Sequence, residues 1–378
     1  MRRGEASEGT LFRPRGRAGQ NRNSFWKGRR VPLESGGVPH GAAEQFSMSK
    51  KFQVVITDFL KDALEPELKV LGDIADIVAL DAHHEDELAG RIEGADAVIL
   101  YHNLSLSAKT VGRLKQCRII VRGGVGFDNV DWRLARQMGI PVTNVPDYGT
   151  EEVADSAIGM MLSLTRGIAL MNSRLRAAEG PWMYWQAVPL ERHRGKTIGL
   201  IGLGRIGTAT ALRAQALGMD VAYYDPYRDD GFDKALGVRR VEKLDDLLAQ
   251  SWVVSLHCPL TNENRGMIDA GALAKLPHGS YLVNTARGGL IDVACIPPAI
   301  ESGQLAGAAI DVLPDEPPSP DNPLIKAWRD PKHPAHHRVL VNPHAAFYCE
   351  QGLMEMRVKG AQSVRRALLG ERLRNVVN

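Results

Sequence analysis

From Phe52 onward, short apolar runs alternate with stretches of helical period. Gln53–Thr57, Ile77–Leu80, Ala97–Tyr101, Ile119–Val121 and Val142–Val145 carry no polar face, the pattern of strands covered on both sides. Glu85–Ile92 and Trp132–Met138 read as helices between them. A second series, Thr197–Ile201, Val221–Tyr224, Val253–His257, Tyr281–Asn284, Ala308–Val312 and Val339–Asn342, repeats the alternation. Strand–helix alternation of this kind predicts parallel sheets with right-handed crossovers. The stretch from Glu151 to about Ala178 reads as one long helix. Val153, Ala157, Met160, Met161 and Leu164 make it apolar over most of its circumference, so it is expected in a core or between subunits. A last helix, about Glu350–Leu369, is expected to pack back on the first series.

This pattern predicts two doubly wound parallel-sheet domains with a cleft between them. Residues 49–148, completed by 349–378, would form the first and 149–348 the second. Two domains also suit a chain of 378 residues. Residues 1–48 show neither period and read as a disordered basic leader, an unstructured or mis-started extension with Met48 as a candidate start. Arg2-Arg3 has no apolar run behind it, and four Glu are unlike a transit peptide.

Charge changes this picture little. The net charge is +3, but the leader holds nine basic residues against four Glu, leaving 38 basic and 40 acidic residues in the body. The body therefore offers no basic face for nucleic acid. No apolar run reaches the length of a membrane span. Cys117, Cys258, Cys295 and Cys349 are too scattered for a metal or redox pair and too few for a disulfide framework, so a reducing cytoplasm is expected.

Gly202-Leu203-Gly204-Arg205-Ile206-Gly207 carries the sharpest chemistry, because it follows a strand and opens the helix Thr208–Leu217. The first glycine permits the turn, the second admits a pyrophosphate, and the third brings helix and strand together. The anion would then meet the free N–H groups of a helix start. Asp225 closes the next strand, where a carboxylate binds a ribose 2′-OH and repels a 2′-phosphate, favouring NAD over NADP. Arg228 nearby weakens that discrimination.

Three further segments follow strands of the second series: Asn284-Thr285-Ala286-Arg287-Gly288-Gly289, Asp311 to Pro317, and Asn342-Pro343-His344-Ala345-Ala346. All fall at the carboxyl edge of the sheet, beside the crevice. Arg287, Glu316 and His344 would there form an anion clamp, an orienting carboxylate and a proton carrier. A carboxylate beside an imidazole fixes its tautomer and favours its protonated form. Taken singly, each residue is as readily structural; only the joint placement points to catalysis.

With Tyr101-His102, the run Val121-Arg122-Gly123-Gly124-Val125-Gly126-Phe127-Asp128-Asn129-Val130-Asp131, Glu151-Glu152-Val153-Ala154-Asp155 and the closing Leu373 to Asn378, the chain from about Phe52 resembles the D-isomer-specific 2-hydroxyacid dehydrogenases. Within them it is most similar to the branch of the C-terminal binding protein corepressors. The resemblance implies a Rossmann NAD-binding domain beside a flavodoxin-like substrate domain. It implies NAD(H)-dependent interconversion of a small 2-keto acid and its D-2-hydroxy acid, with Arg287, Glu316 and His344 catalytic. His344 would protonate the keto oxygen, Glu316 would hold its imidazole, and Arg287 would bind the carboxylate and carbonyl. Substrate binding would also draw on His102, Arg122 and the backbone of Gly124 and Val125. His257, Cys258, Pro259 and Asn264 would line the adenosine side of NAD, Asp311 the nicotinamide side, and Thr285 and Ala286 would border it.

Glu316 stands where the formate dehydrogenase branch has Gln, which disfavours formate oxidation. The resemblance also leads us to expect no regulatory domain after Asn378. Departures are Asn342 for the usual Thr, Phe347 for the corepressors' Trp, and Pro297-Pro298 inside a helix, which should interrupt or restart it. The Pro-rich stretch between Pro314 and Arg338, with His333, His336 and His337, is a candidate to lie over the cleft entrance. A metal there is disfavoured for lack of matching carboxylates or thiols. His83-His84 reads as a solvated helix start. Trp182, Tyr184 and Trp185 are expected to pack against a neighbouring domain or subunit, in a homodimer formed through the Glu151 helix. The rival reading is an NAD-sensing corepressor or scaffold that works by partner recruitment; a third is oxidation of a phosphonate or phosphite.

Overall fold

The computed structural model describes residues 50–378, so the expectations for the leader lie outside the described residues. Twelve strands form two sheets, and every strand pair is parallel. The first sheet holds β1 (Phe52–Ile56), β2 (Ala75–Ala79), β3 (Ala97–Leu100), β4 (Ile119–Arg122) and β5 (Val142–Asn144) in the order β2-β1-β3-β4-β5. The second holds β6 (Thr197–Ile201), β7 (Asp220–Tyr224), β8 (Arg239–Arg240), β9 (Val253–Leu256), β10 (Ser280–Asn284), β11 (Leu305–Ile310) and β12 (Val339–Val341). Its order is β12-β11-β10-β9-β6-β7-β8.

Both orders reverse direction once, at β1/β3 and at β6/β9. A crevice opens beyond the carboxyl ends of the strands at such a point, because the flanking helices diverge to opposite faces. The two-sheet α/β architecture is therefore the expected one. The central strands are buried throughout, as their apolar runs predict. The edge strand β2 is the exception: Asp76 and Val78 face solvent, with Val78 48% exposed. A run of apolar residues does not reveal whether a strand has one neighbour or two.

Several elements differ from expectation for local reasons. The long helix after Glu151 is two, Thr150–Thr165 and Ile168–Arg176, bent by 64° at Gly167, whose φ is +64°. Its first half is buried within the chain's own core, where Ala157, Met160, Met161 and Leu164 pack with β6, β10 and β11 side chains. The apolar face read as a subunit contact is thus largely consumed inside the chain. Among the described residues no single helix is long and apolar enough to cross a membrane. Glu85–Ile92 makes only a 3₁₀ turn over Glu85–Leu88, and Gly90 at φ +79° breaks it off. Pro297 and Pro298 sit in the first turn of a restarted helix, Ile296–Glu301, where their missing N–H groups cost nothing.

The Pro-rich stretch does not cover the cleft. It forms the helices Pro323–Arg329 and Ala335–Arg338, whose Leu324, Ile325 and Ala335 are buried in the core of the second sheet. Its histidines are spent locally: His333 meets Glu301 at 3.0 Å, His336 the Trp328 carbonyl at 2.8 Å, and His337 lies between Ser173 and Glu179. Among the described residues there is no cluster that would hold a metal.

The C-terminal helix Glu350–Leu368 returns to the first sheet, packing Met356, Ala361, Val364 and Leu368 against β1, β3 and β4 side chains. Arg357 fastens it. Its guanidinium donates to both oxygens of Glu67 at 2.7 Å and to both of Asp62 at 2.5 and 2.9 Å. Glu67 is fully buried, so breaking the pair strands a carboxylate away from water. Replacing Arg357 with Met should cost about 3–5 kcal/mol in urea unfolding, and a loss below 1 kcal/mol would show the pair to be dispensable. The hydrogen bond from Arg357 also holds the Asp62 carboxyl below its ordinary 3.8. A depressed pKa stabilises the fold above the ordinary value, so that contribution should fade as pH falls through the lowered one. The stability gap between the native chain and Arg357→Met should therefore narrow in acid.

Candidate active site

A cleft of about 830 Å³ runs between the two sheets, walled by loops that leave the carboxyl ends of their strands. At its second-sheet end lies the glycine turn. Gly202 has φ +94°, and a Cβ there would stand 2.8 Å from the Cys258 nitrogen, so the turn after β6 presses on the loop after β9. A Cβ on Gly207 would collide with the Gly202 carbonyl. These two glycines shape the turn without reaching the cleft, whereas Gly204, Arg205 and Ile206 line it. The helix Arg205–Ala216 starts here, and its first N–H groups have no carbonyl within the helix to bind.

Asp225 accepts the Leu203 N–H at 2.8 Å and the Tyr227 N–H at 3.1 Å, tying β7 to the glycine turn. Arg228 lies 3.6 Å from the same carboxylate. Two buried polar atoms on this wall have no partner among the described residues, His257 Nδ1 and Thr285 Oγ1. The His257 ring binds Ser255 Oγ through Nε2 at 2.9 Å, and burial pushes its pKa down to about 4, so it is a neutral imidazole. Cys258 and Pro259 share this wall, and burial raises the Cys258 thiol to about 11. Asn264 does not reach the cleft. It braces the loop by accepting the Thr261 N–H and donating to the Pro259 carbonyl, both at 2.8 Å. Free helix N–H groups, orphaned polar atoms and a glycine-lined approach together fit a dinucleotide.

The opposite end gathers the charged groups. His344 and Glu316, 28 residues apart, meet with Nδ1 2.7 Å from Oε2. An ionised carboxylate can only accept, so Nδ1–H donates and Nε2 is left for the cleft. Glu316 itself stays behind the wall and anchors its other oxygen on the Leu313 N–H at 2.8 Å. Burial pushes the Glu316 carboxyl up, but the hydrogen bond and charge of His344 outweigh it and leave the carboxyl below its ordinary value. His344 has φ +52°, a conformation that costs a non-glycine residue of order 1 kcal/mol. Asp311 enforces it: its backbone carbonyl accepts the His344 N–H at 2.8 Å, and its buried carboxylate accepts those of Ala345 and Ala346 at 2.9 and 3.0 Å. Burial raises the Asp311 carboxyl against the pull of those two N–H groups.

Arg287, with Ala286 beside it, enters from the loop after β10, and Arg122 from the end of β4. Arg122 is only 7% exposed; it donates to the Gly123 carbonyl, and its Nε has no partner. Burial and the neighbouring Arg287 pull its pKa down to about 10. A buried guanidinium with idle donors is costly unless an anion completes it. Val125 lines the cleft, while Gly124 lies behind it with φ +143°, where a Cβ would fall on the Arg122 guanidinium. The His102 ring packs at a tilt against Phe59 at 4.9 Å and His344 at 5.4 Å, and burial drops its pKa to about 4.

The residue reading passed over several members of this end. Asp128 holds Arg287 Nε at 3.0 Å across the cleft. Asp58 fixes the backbone on both sides of His102 by accepting the N–H groups of Tyr101 at 2.8 Å and Asn103 at 2.9 Å. A Cβ on Gly126 would fall on the Arg287 guanidinium. Asp128 and Gly126 lie inside the quoted glycine run, so their presence was visible. Asp58 gives no local signal of this role, since the two N–H groups beside His102 that it holds lie more than forty residues away.

Comparison with known proteins accounts for this arrangement. Residues 158–346 match the D-isomer specific 2-hydroxyacid dehydrogenase, NAD binding domain. The chain belongs to the D-isomer specific 2-hydroxyacid dehydrogenases. Its NAD-binding domain makes NAD the cofactor for which the crevice is shaped. The chain is 33% identical to C-terminal-binding protein 1 of Caenorhabditis elegans over 80% of its own length and 42% of that protein. To the D-3-phosphoglycerate dehydrogenase of Archaeoglobus fulgidus it is 36% identical, over 78% of its length and 53% of the relative's. It thus spans about half the length of these curated relatives. The corepressor branch expected from the motifs is among its relatives. The D-lactate dehydrogenase of Aquifex aeolicus, solved with NAD and lactic acid, superposes with a TM-score of 0.75 at 26% identity, covering 84% of this chain and 96% of that one.

For this family member, Gly207→Ala should weaken NADH binding at least tenfold in a fluorescence titration, because the methyl group cannot fit against the Gly202 carbonyl. Unaltered affinity would mean that the turn relaxes freely.

Proposed function

We propose that the chain is an NAD(H)-dependent oxidoreductase that interconverts a small 2-keto acid and its D-2-hydroxy acid. The observation that carries this reading is the meeting of the Arg287 guanidinium and the Glu316–His344 pair in one cleft that continues into the dinucleotide crevice. The D-lactate dehydrogenase superposition supports the same substrate class. Gly204, Arg205, Ile206, His257 and Thr285 would hold NAD, which supplies or takes the hydride when bound.

The remaining work falls to the chain's own groups. Arg287 binds the carboxylate and carbonyl, with its Nη2 free of partners among the described residues and its plane matched to paired oxygens. Arg122 adds its idle donors. His344 Nε2 gives its proton to the keto oxygen during reduction and takes it back during oxidation, a contribution of about 10²–10⁴ in rate. Glu316 stabilises the imidazolium and stops the ring from turning. Neutral His102 contributes hydrogen bonds without adding charge.

A second copy is proposed to cover the apolar surface of Ile168, Trp182, Tyr184, Trp185 and Val188, of which Trp182 is 84% exposed. This moves the dimer contact from the Glu151 helix, whose apolar face is already buried, to the segment after it. All four cysteines are free thiols, in keeping with a reducing cytoplasm.

Incubation with NADH and a panel of 2-keto acids should consume NADH, and His344→Ala or Arg287→Ala should remove that turnover. Glu316→Gln should lower the rate of keto-acid reduction by about tenfold or more in the same assay, because the protonated imidazole loses its counter-charge. The likeness to the Caenorhabditis corepressor favours one other reading, recruitment of partners by an NAD-binding scaffold. If every keto acid is inert while NADH still binds and promotes association of two copies, that reading replaces the enzyme.

A further inference from the structure

Asp128 occupies a position that the proposed chemistry has not used. It lies on the loop after β4, belonging to the first sheet, and grips a guanidinium supplied by the second. The loop is rigidly held: Asn129 donates to the Tyr101 and Leu104 carbonyls at 2.8 Å each, and Asn144 donates to Val125 at 2.6 Å. Arg287 gives Nε to Asp128 and Nη1 to the Ala286 carbonyl at 2.7 Å. The missing Cβ of Gly126 leaves room for Nη2. The guanidinium is thereby turned so that its remaining donors face the cleft.

The acids around this end are unequal. Asp58 spends its oxygens on the Thr57 hydroxyl and on backbone N–H groups, Glu316 on His344 and Leu313, and Asp311 on Ala345 and Ala346. Only Asp128 among them meets a guanidinium. Buried Arg122 and half-buried Arg287 thus share this end of the site with one carboxylate in contact, and His102 adds no charge. One cation is left for the ligand to neutralise.

We infer that Asp128 is a positioning and specificity residue that aims Arg287 and matches the site to a substrate bearing one carboxylate rather than two anionic groups. This rests on the 2-keto acid reading and names its charge class. A second anionic group would lie against Asp128, whose own cation, Arg287, is already engaged, and the two negative charges would repel.

The test uses oxamate and oxalate, which share a two-carbon skeleton and carry one and two charges. Each is titrated against the full chain saturated with NADH, following nicotinamide fluorescence. Asp128→Asn keeps the side-chain shape and removes the charge; it should shift the binding ratio toward oxalate by about tenfold or more. Asp128→Glu should restore most of the native ratio. Asp128→Ala should also weaken oxamate, as Arg287 loses its anchor. NADH affinity should be unchanged in all three, which shows that the fold is intact. If Asp128→Asn changes both anions by the same factor, or neither, the role assigned to Asp128 is overturned while the substrate reading stands. If the native chain binds neither anion, the substrate reading fails and the assignment goes with it.

Discussion

Every chemical group in the cleft is delivered from the carboxyl end of a parallel strand. In a parallel sheet all carboxyl ends lie on one edge, so the loops after β6, β9, β10, β11 and β12 have no choice but to gather there. The first sheet obeys the same rule with the loops after β1, β3 and β4. The site exists because the two edges face a common gap, and the Asp128–Arg287 pair and the His102–His344 contact bridge it. Had either sheet been antiparallel, half of these loops would have left from the opposite edge.

The gap is lined by arrangements that cost stability. His344 is held at a positive φ, Arg122 is buried with an idle nitrogen, and Thr285 and His257 each hide a polar atom without a partner. None of these would survive in a core selected for stability alone. Each is opposed by a rigid neighbour. Asp311 binds the turn that carries His344, the Gly124 backbone makes room for Arg122, and Asp58 holds the segment that carries His102. Two of these supports, Asp311 and Asp58, act over more than thirty residues of chain, so much of the strain of the site is borne by the packing of whole strands rather than by local turns.

The chemistry also depends on charge being placed sparingly. Two imidazoles stand 5.4 Å apart in the cleft, and one of them, His102, is kept neutral by burial. The other has the Glu316 carboxylate against Nδ1. Two residues of the same type therefore sit in different settings, one with an acid beside it and the other against aromatic rings. At the other end of the cleft Asp225 is committed to the glycine turn through Leu203, so its carboxylate helps to shape that turn.

The chain by itself determined the alternation of strand and helix, the glycine turn after β6, and the order in which Arg287, Glu316 and His344 follow their strands. These are legible because each is a local pattern: a run of apolar residues, a spacing of glycines, a polar group just past a strand end. What only the tertiary structure decided is everything set by partners distant in the chain. The break at Gly167, the exposed face of β2, and the burial of the Pro-rich segment away from the cleft depend on what packs against them. So do the bracing role of Asn264, the anchoring of the His344 turn by Asp311, and the reach of Asp128 across to Arg287. A residue's neighbours in space, and the water they exclude, are not written in the residues beside it.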